Sequence, residues 1–392
     1  MAQKVNVFGI PSSAYVHIPF CRRRCFYCDF PVSVVGDRLR GETSGTISQY
    51  VEVLCHEIAN SPAFGQPLKT VFFGGGTPSL LSTAQLEQIL AALAERFGIL
   101  AGAEISMEID PGTFDLAHIA GYRSLGVNRV SFGVQAFQEE LLKIAGRSHS
   151  LADIFTALDL IRQVEIPEFS LDLISGLPHQ SLDQWQDSLE KAVATAPTHI
   201  SIYDLTIEPG TAFGRYYQPG SNPLPTDETT VKMYQMAQQI LTTAGYQHYE
   251  ISNYAQSGHQ CQHNRVYWEN RPYYGFGMGA ASYVEGKRFT RPRKTQEYYQ
   301  WVKAGCAINC EVTPPDEVLL DTLMLGLRLA EGLSLSSLVA EFGEEKVADI
   351  HQCLRSHFAQ GWVEVVEGRL RLSDPQGFLF SNVVLADLFA KL

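Results

Sequence analysis

The chain has 392 residues, with 42 acidic against 30 basic side chains and a formal net charge of −12. At 45% hydrophobic and 18% charged residues it carries enough apolar material for a large core, lacks the composition of a disordered chain, and has the length of two or three domains. The acidic balance argues against a nucleic-acid binder, no apolar run reaches the length of a membrane span, and residues 1–11 lack a signal-peptide pattern, so a cytosolic protein is expected.

Six segments read as short buried strands, rich in β-branched and aromatic residues: 14–19, 69–73, 104–109, 128–133, 168–174 and 199–205. Helical patterns separate them at 47–59, 83–97, 116–125, 138–145, 151–164 and 181–195. Ser82 is a helix-start signal and Gly98 a stop. Such alternation predicts parallel strands joined by right-handed crossovers, as a barrel or a doubly wound sheet.

The residues at the end of each strand favour the barrel. Cys21, Cys25 and Cys28 come after the first, Gly74-Gly75-Gly76-Thr77-Pro78 after the second, and Glu108-Ile109-Asp110-Pro111 ends the third. Gly133-Val134-Gln135 ends the fourth, Asp172 leads to Ser175-Gly176-Leu177-Pro178 in the fifth, and Tyr203-Asp204-Leu205 closes the sixth. Polar clusters at the C-terminal ends of all six strands are the layout of an active site on an α/β barrel. Six units in place of eight predict a partial, open (β/α)6 TIM-like barrel over residues 1–213.

Residues 214–313 read as a barrel extension and connection, with a turn-rich stretch at 219–223, a helix at 227–244, a strand at 246–251 and a tight glycine turn at 275–279. Residues 314–392 form a C-terminal module, with helices at 316–331, 335–342 and 344–360 and a hairpin turning at Glu367-Gly368. This is the outline of a winged helix. Its twelve acids against six bases over 315–392 argue against DNA binding and for packing on the barrel.

Eight cysteines in a cytosolic chain are not a disulfide framework. The C-x3-C-x2-C trio has no nearby fourth partner, which suits a four-ligand zinc site poorly. It suits a [4Fe–4S] cluster with one iron open to a further ligand; zinc is the alternative.

The stretch Tyr15-Val-His-Ile-Pro-Phe-Cys21-x3-Cys25-x-Tyr27-Cys28 resembles the radical S-adenosylmethionine (SAM) superfamily. Together with Gly74–Pro78, Ser131–Gln135, Gly146-Arg147, Asp172–Pro178, Tyr249–Tyr254 and His263–Trp268, it resembles the oxygen-independent coproporphyrinogen III oxidase family, closest to its heme-chaperone branch. The resemblance covers nearly the whole chain. It implies a [4Fe–4S] cluster on Cys21, Cys25 and Cys28, with SAM on the fourth iron and open to reductive cleavage. By position it implies a SAM site of Tyr15, Gly75, Gly76, Thr77 and Glu108. Tyr27, Gln135, Arg147 and Asp172 match positions that contact a second SAM in the oxidase.

Phe30 stands where the oxidase has a fourth cysteine, and only 14 residues precede Tyr15. Both put coproporphyrinogen decarboxylation in doubt, and Phe30 with the His263 motif favours the chaperone branch, which implies heme as cargo, acceptor hemoproteins or respiratory-chain proteins as partners, at most peripheral membrane contact, and a homodimer as one assembly. Coproporphyrinogen III oxidation and radical methyl transfer are the alternatives. The His263-Asn-x-x-Tyr267-Trp268 stretch resembles the chaperone's heme motif, which makes His263 the candidate iron ligand. Five bases lie within residues 287–294 (Lys287, Arg288, Arg291, Arg293 and Lys294). They are expected to receive heme propionates, an anionic membrane or an acidic partner, with a solvated loop as the alternative. Ala281 stands where the family often has a histidine.

Overall fold

Six strands lie side by side in the order in which the chain makes them: β1 (Ser13–Ile18), β2 (Leu68–Gly75), β3 (Ile99–Ile109), β4 (Arg129–Gln135), β5 (Glu168–Ser175) and β6 (His199–Asp204). Each is parallel to the next. The structure is a computed structural model and describes residues 9–37 and 40–392. Most of the N-terminal segment read for a signal peptide therefore lies outside the described residues. Sequential order decides between barrel and doubly wound sheet. A doubly wound sheet reverses at a switch point, whereas right-handed crossovers that all step the same way put every helix on one face. The fold is therefore a partial barrel.

The sheet continues past both ends of the six strands. Antiparallel β7 (Gln247–Glu250) and β8 (Asn253–Ala255) extend the β6 edge, and β9 (Tyr274–Phe276) adds in parallel to β1. Among the described residues β9 and β7 are not paired with each other, so the sheet stays open. The glycine stretch expected as a turn thus begins as a strand, because the glycines let it run close to its neighbours. A Cβ on Gly277 would come within 2.7 Å of the His17 carbonyl oxygen.

The helices α1 (Gly45–Asn60), α2 (Thr83–Phe97), α3 (Leu116–Ser124), α4 (Glu139–Ile144), α5 (Leu151–Gln163) and α6 (Leu182–Ala194) fill the crossovers. Ser82, Ser150 and Ser181 start α2, α5 and α6 with reciprocal capping boxes to Gln85, Asp153 and Gln184, satisfying amides that would otherwise be orphaned. Strands buried on both faces read as apolar runs: Val71 and Phe73 of β2 and Leu171 and Leu173 of β5 are fully buried in one large core. That core includes Tyr246, Tyr254, Phe276 and Tyr298 from the middle region.

A second core, built on Leu323, Ile350, Leu370 and Leu388, belongs to the C-terminal module. Its first helix is shorter than expected, Pro315–Gly326. Residues 328–330 leave it to hydrogen-bond with Tyr249 and Ile251 at the barrel's edge. This pairing, with the Glu250–Arg328 ion pair at 3.1 Å, joins the two cores. The hairpin Val363–Val366 and Arg369–Leu372 turns at Glu367-Gly368 as expected, both residues at positive φ.

The basic run at 287–294 is not one surface of five cations, which corrects its reading as a single receptor for propionates or a membrane: Arg293 and Lys294 are exposed, Lys287 and Arg288 half-buried and Arg291 buried. Arg291 is 5% exposed; its Nε donates to Glu57 Oε1 at 2.5 Å and its Nη1 to Ser282 Oγ at 2.7 Å. Glu57 is fully buried and also accepts from the Tyr298 hydroxyl at 2.6 Å and the Gly277 amide at 2.9 Å. Arg288 pairs with Asp321 at 2.7 Å and Lys294 with Glu297 at 2.9 Å. Lys287 and Arg288 point to opposite sides of the hairpin 281–290, while Arg291, Arg293 and Lys294 lie beyond its end. Removing one partner of a buried pair strands the other. Arg291→Ala should therefore cost about 3–5 kcal/mol in urea unfolding, while Arg293→Ala, at an exposed position, should stay within about 0.5 kcal/mol.

Candidate functional site

The cysteine loop leaves β1 and is held over the C-terminal ends of the strands by backbone bonds. The Gly76 amide donates to the Ile18 carbonyl at 2.8 Å and the Thr77 amide to that of Phe20 at 2.7 Å. A Cβ on Gly76 would lie 2.6 Å from the Phe20 oxygen, so only glycine lets these segments meet. Farther along, the Phe26 amide bonds the Ala145 carbonyl at 3.1 Å and the Phe213 amide bonds that of Phe26 at 2.8 Å. Arg24 ties the loop to itself through the Cys28 and Phe30 carbonyls.

Below the loop lies a cavity of about 400 Å³, within the usual size range of small-molecule sites. Cys21, Cys25, Tyr27, Cys28, Gly75, Gly76, Thr77, Glu108, Gln135, Arg147 and Asp172 all line it, drawn from five of the six strand ends and the loops after them. Phe30 stands at its rim, more than half exposed. All three cysteines are free thiols. Among the described residues no three His, Cys, Asp or Glu side chains gather about a single ion position. An iron–sulfur cube does not require that, since each thiolate takes a different iron.

The carboxylates show the cost of the burial. Glu108 accepts the Gly75 amide at 2.9 Å, yet burial pushes its carboxyl up to about 8. Asp172 is raised to about 6 by burial, against hydrogen bonds from Ser131 and Ser201; Ser131 Oγ donates to it at 2.9 and 3.0 Å. Burial pushes the Cys21 thiol up to about 12. Arg147 is held by Asp110 and by the Gly133 carbonyl at 2.9 Å, and its Nη1 lies 3.3 Å from Cys25 Sγ. Gln135 sits in left-handed backbone at φ 69°. Its Oε1 and the Arg147 Nε are buried without a hydrogen-bond partner among the described residues.

Two of the expected residues stand elsewhere. Tyr15 lies behind the glycine edge, outside the cavity lining, with its hydroxyl 3.0 Å from His17 Nδ1. His17 Nε2 donates to the Pro31 carbonyl at 3.1 Å, so this unforeseen histidine links β1 to the far side of the cysteine loop. Its signal was its place inside the Tyr15–Cys21 motif. Asp110, which orients Arg147, was legible only as part of a strand-end cluster.

His263 is at the opposite end of the barrel, on a helix, Gln262–Trp268, that plugs the floor. Its backbone amide and that of Gln262 donate to the buried Glu104 of β3 at 3.0 and 2.9 Å. Its Nδ1 pairs with Thr70 Oγ1 and its Nε2 with the Tyr267 hydroxyl, both at 2.8 Å. The ring is fully buried and stacks on Phe72 at 5.2 Å; burial lowers its basicity to about 3. In this conformation neither nitrogen is open to an iron, because the barrel floor uses both.

Residues 15–192 match the radical SAM superfamily and residues 313–380 the HemN C-terminal domain. The structure is similar to coproporphyrinogen III oxidase (HemN) from Escherichia coli, with a TM-score of 0.82 over 98% of this chain and 91% of that one at 24% identity, a likeness of fold. This is a radical SAM protein with a HemN-type C-terminal domain, and the superfamily implies a [4Fe–4S] cluster and SAM. In sequence it is 48% identical to the heme chaperone HemW of Synechocystis sp., covering 99% of this chain and 98% of the relative. It is 32% identical to the HemW of Bacillus subtilis, covering 97% and 100%. The chain belongs to the HemW family.

A carboxyl whose folded value lies above its unfolded one favours the fold while it is protonated, and that contribution is lost as pH rises through the folded value. For Glu108 the loss runs from about 4.5 to about 8. In cluster-free protein, Glu108→Gln should match the wild type near pH 4.5 in urea unfolding. It should exceed the wild type by up to ~5 kcal/mol above pH 8.

Proposed function

We propose that this protein is a heme chaperone that holds a [4Fe–4S] cluster on Cys21, Cys25 and Cys28 and SAM in the cavity beneath them, and passes heme to acceptor hemoproteins such as those of the respiratory chain. The observation that carries it is the gathering of three free thiols, a side-chain-free glycine edge and two partnerless buried polar atoms around one cavity, in a chain related end to end to proteins named heme chaperones.

The residues fit the cofactors. Buried polar groups without partners are costly, and Gln135 Oε1 and Arg147 Nε would gain partners from a polar ligand. When bound, the cluster supplies single electrons and SAM a sulfonium that an electron can cleave. The chain's own part is placement. Gly75 and Gly76 present backbone without a Cβ, Thr77 and Asp110 hold the near wall, and Glu108 turns a carboxyl pushed up by burial toward the cavity. Phe30 has no thiol to offer the site.

The proposed parts are a barrel at 1–213, its extension at 214–313 and a C-terminal module at 314–392; the separate core of the third supports its boundary, and the first two pack around one core as barrel and extension. Among the described residues no helix is long and apolar enough to cross a membrane, and a cytosolic location is proposed. Heme ligation by His263 requires the floor helix to lift from Glu104 and Thr70.

Anaerobically reconstituted protein should show the cluster's visible absorbance and lose it in Cys21→Ala, Cys25→Ala or Cys28→Ala. With SAM, reductant and coproporphyrinogen III it should yield no porphyrin product; a catalytic yield of protoporphyrinogen overturns the chaperone reading. In heme-loaded protein, His263→Ala should shift the heme absorption band if the lifted state ligates iron. An unchanged band, with stability reduced by roughly 2–4 kcal/mol for the orphaned Thr70 and Tyr267 partners, assigns His263 to the barrel floor alone.

A further inference from the structure

The three cysteines do not sit in equivalent surroundings. Cys21 has the Thr77 hydroxyl beside it, and Cys28 has the Phe30 backbone amide. Both are neutral donors, although the Arg24 guanidinium also lies near Cys28. At Cys25 the hydrogen-bond donor is itself a cation: Arg147 Nη1 approaches its Sγ at 3.3 Å, and the same nitrogen lies 3.5 Å from the Tyr27 hydroxyl. The guanidinium is built in rather than draped over the surface. Its side chain is 7% exposed, its Nη2 is committed to Asp110 and to the Gly133 carbonyl, and a Cβ on Gly133 would come within 3.2 Å of it. The fork geometry leaves Nη1 aimed at the sulfur.

We infer that Arg147 is a positioning residue that sets the redox poise of the cluster by donating a hydrogen bond to the Cys25 ligand. The inference rests on the reading of Cys25 as a cluster ligand. Reduction adds one electron to the cluster and its thiolates with no proton taken up, so the reduced state is more negative and gains more from a nearby donor. Hydrogen bonds to cluster sulfurs are among the factors that set such potentials. In a buried site with a low effective dielectric the effect is larger than in water. Asp110 offsets part of the guanidinium charge, so the directed N–H carries the effect. The pair also gives a control of opposite sign: deleting the arginine leaves Asp110 uncompensated, and neutralising Asp110 leaves the arginine unopposed.

The experiment is a midpoint titration of the reconstituted cluster in full-length protein without SAM, followed by electron paramagnetic resonance. Leaving SAM out removes any contact that Arg147 makes with it. Arg147→Met should lower the midpoint by a tenfold or greater change in the reduction equilibrium, which is 59 mV for one electron. Arg147→Lys should restore part of that shift, and Asp110→Asn should raise the midpoint above the wild type. An Arg147→Met cluster with the wild-type midpoint overturns the inference while leaving the proposed function standing. Should that variant assemble no cluster, Asp110→Asn decides, and a midpoint unchanged or lowered there overturns it. A wild-type chain that assembles no [4Fe–4S] cluster takes down the proposed function, and this inference with it.

Discussion

The seam between the glycine edge after β2 and the backbone leaving β1 is the constraint on which the site depends. Two short backbone bonds, from Gly76 to Ile18 and from Thr77 to Phe20, hold the start of the cysteine loop against the second strand end. Buried amides and carbonyls must be paired, and here each partner lies on the other segment. The pairing needs an approach that a single Cβ at Gly76 would prevent. Once Cys21 is fixed in this way, the rest of the loop is tethered by Phe26 to Ala145 and Phe213. The three thiols then stand over the strand ends instead of over solvent.

Four carboxylates of the barrel divide by what surrounds them. Glu57 and Glu104 are answered on both oxygens, Glu57 by Arg291, Tyr298 and Gly277 and Glu104 by two helix amides and Ser106. They hold β9 and the floor helix in place. Glu108 accepts a single amide and Asp172 only serine hydroxyls, and burial pushes both carboxyls up at the cavity wall. Carboxyls raised in this way, in a cavity beside free thiols, mark a binding site. The same barrel interior thus contains acids that clamp structure near its floor and edge and raised acids at its mouth.

The motif helix at the floor shows why a sequence likeness and a site are different things. His263, Tyr267 and Phe72 pack as a buried column, with Thr70 and Glu104 closing the polar ends. The residue types that would suit a porphyrin are also those that suit a sealed barrel end, and burial with both nitrogens engaged distinguishes the two uses. The basic run at 287–294 carries the same lesson with the opposite composition. A cluster of charges in sequence became a buried ion pair, Arg291 with Glu57, and two separate pairs nearer the surface, Arg288 with Asp321 and Lys294 with Glu297.

Much of the architecture is local and was therefore legible. The six strands, the helices between them and the serine caps follow from periodicity and from side chains that reach only a few residues along the chain. The cysteine spacing and the glycine edge pointed to the cofactor chemistry because those constraints act within one loop. Only the tertiary structure decided sheet order and long-range partnership. The sequential strand order selected the barrel, β9 joined β1 from more than 250 residues away, Arg147 met Cys25 and Asp110, and Glu57 met Arg291. Residues near in sequence report on local geometry, whereas whether a charge is free, paired or buried depends on which distant segment packs against it.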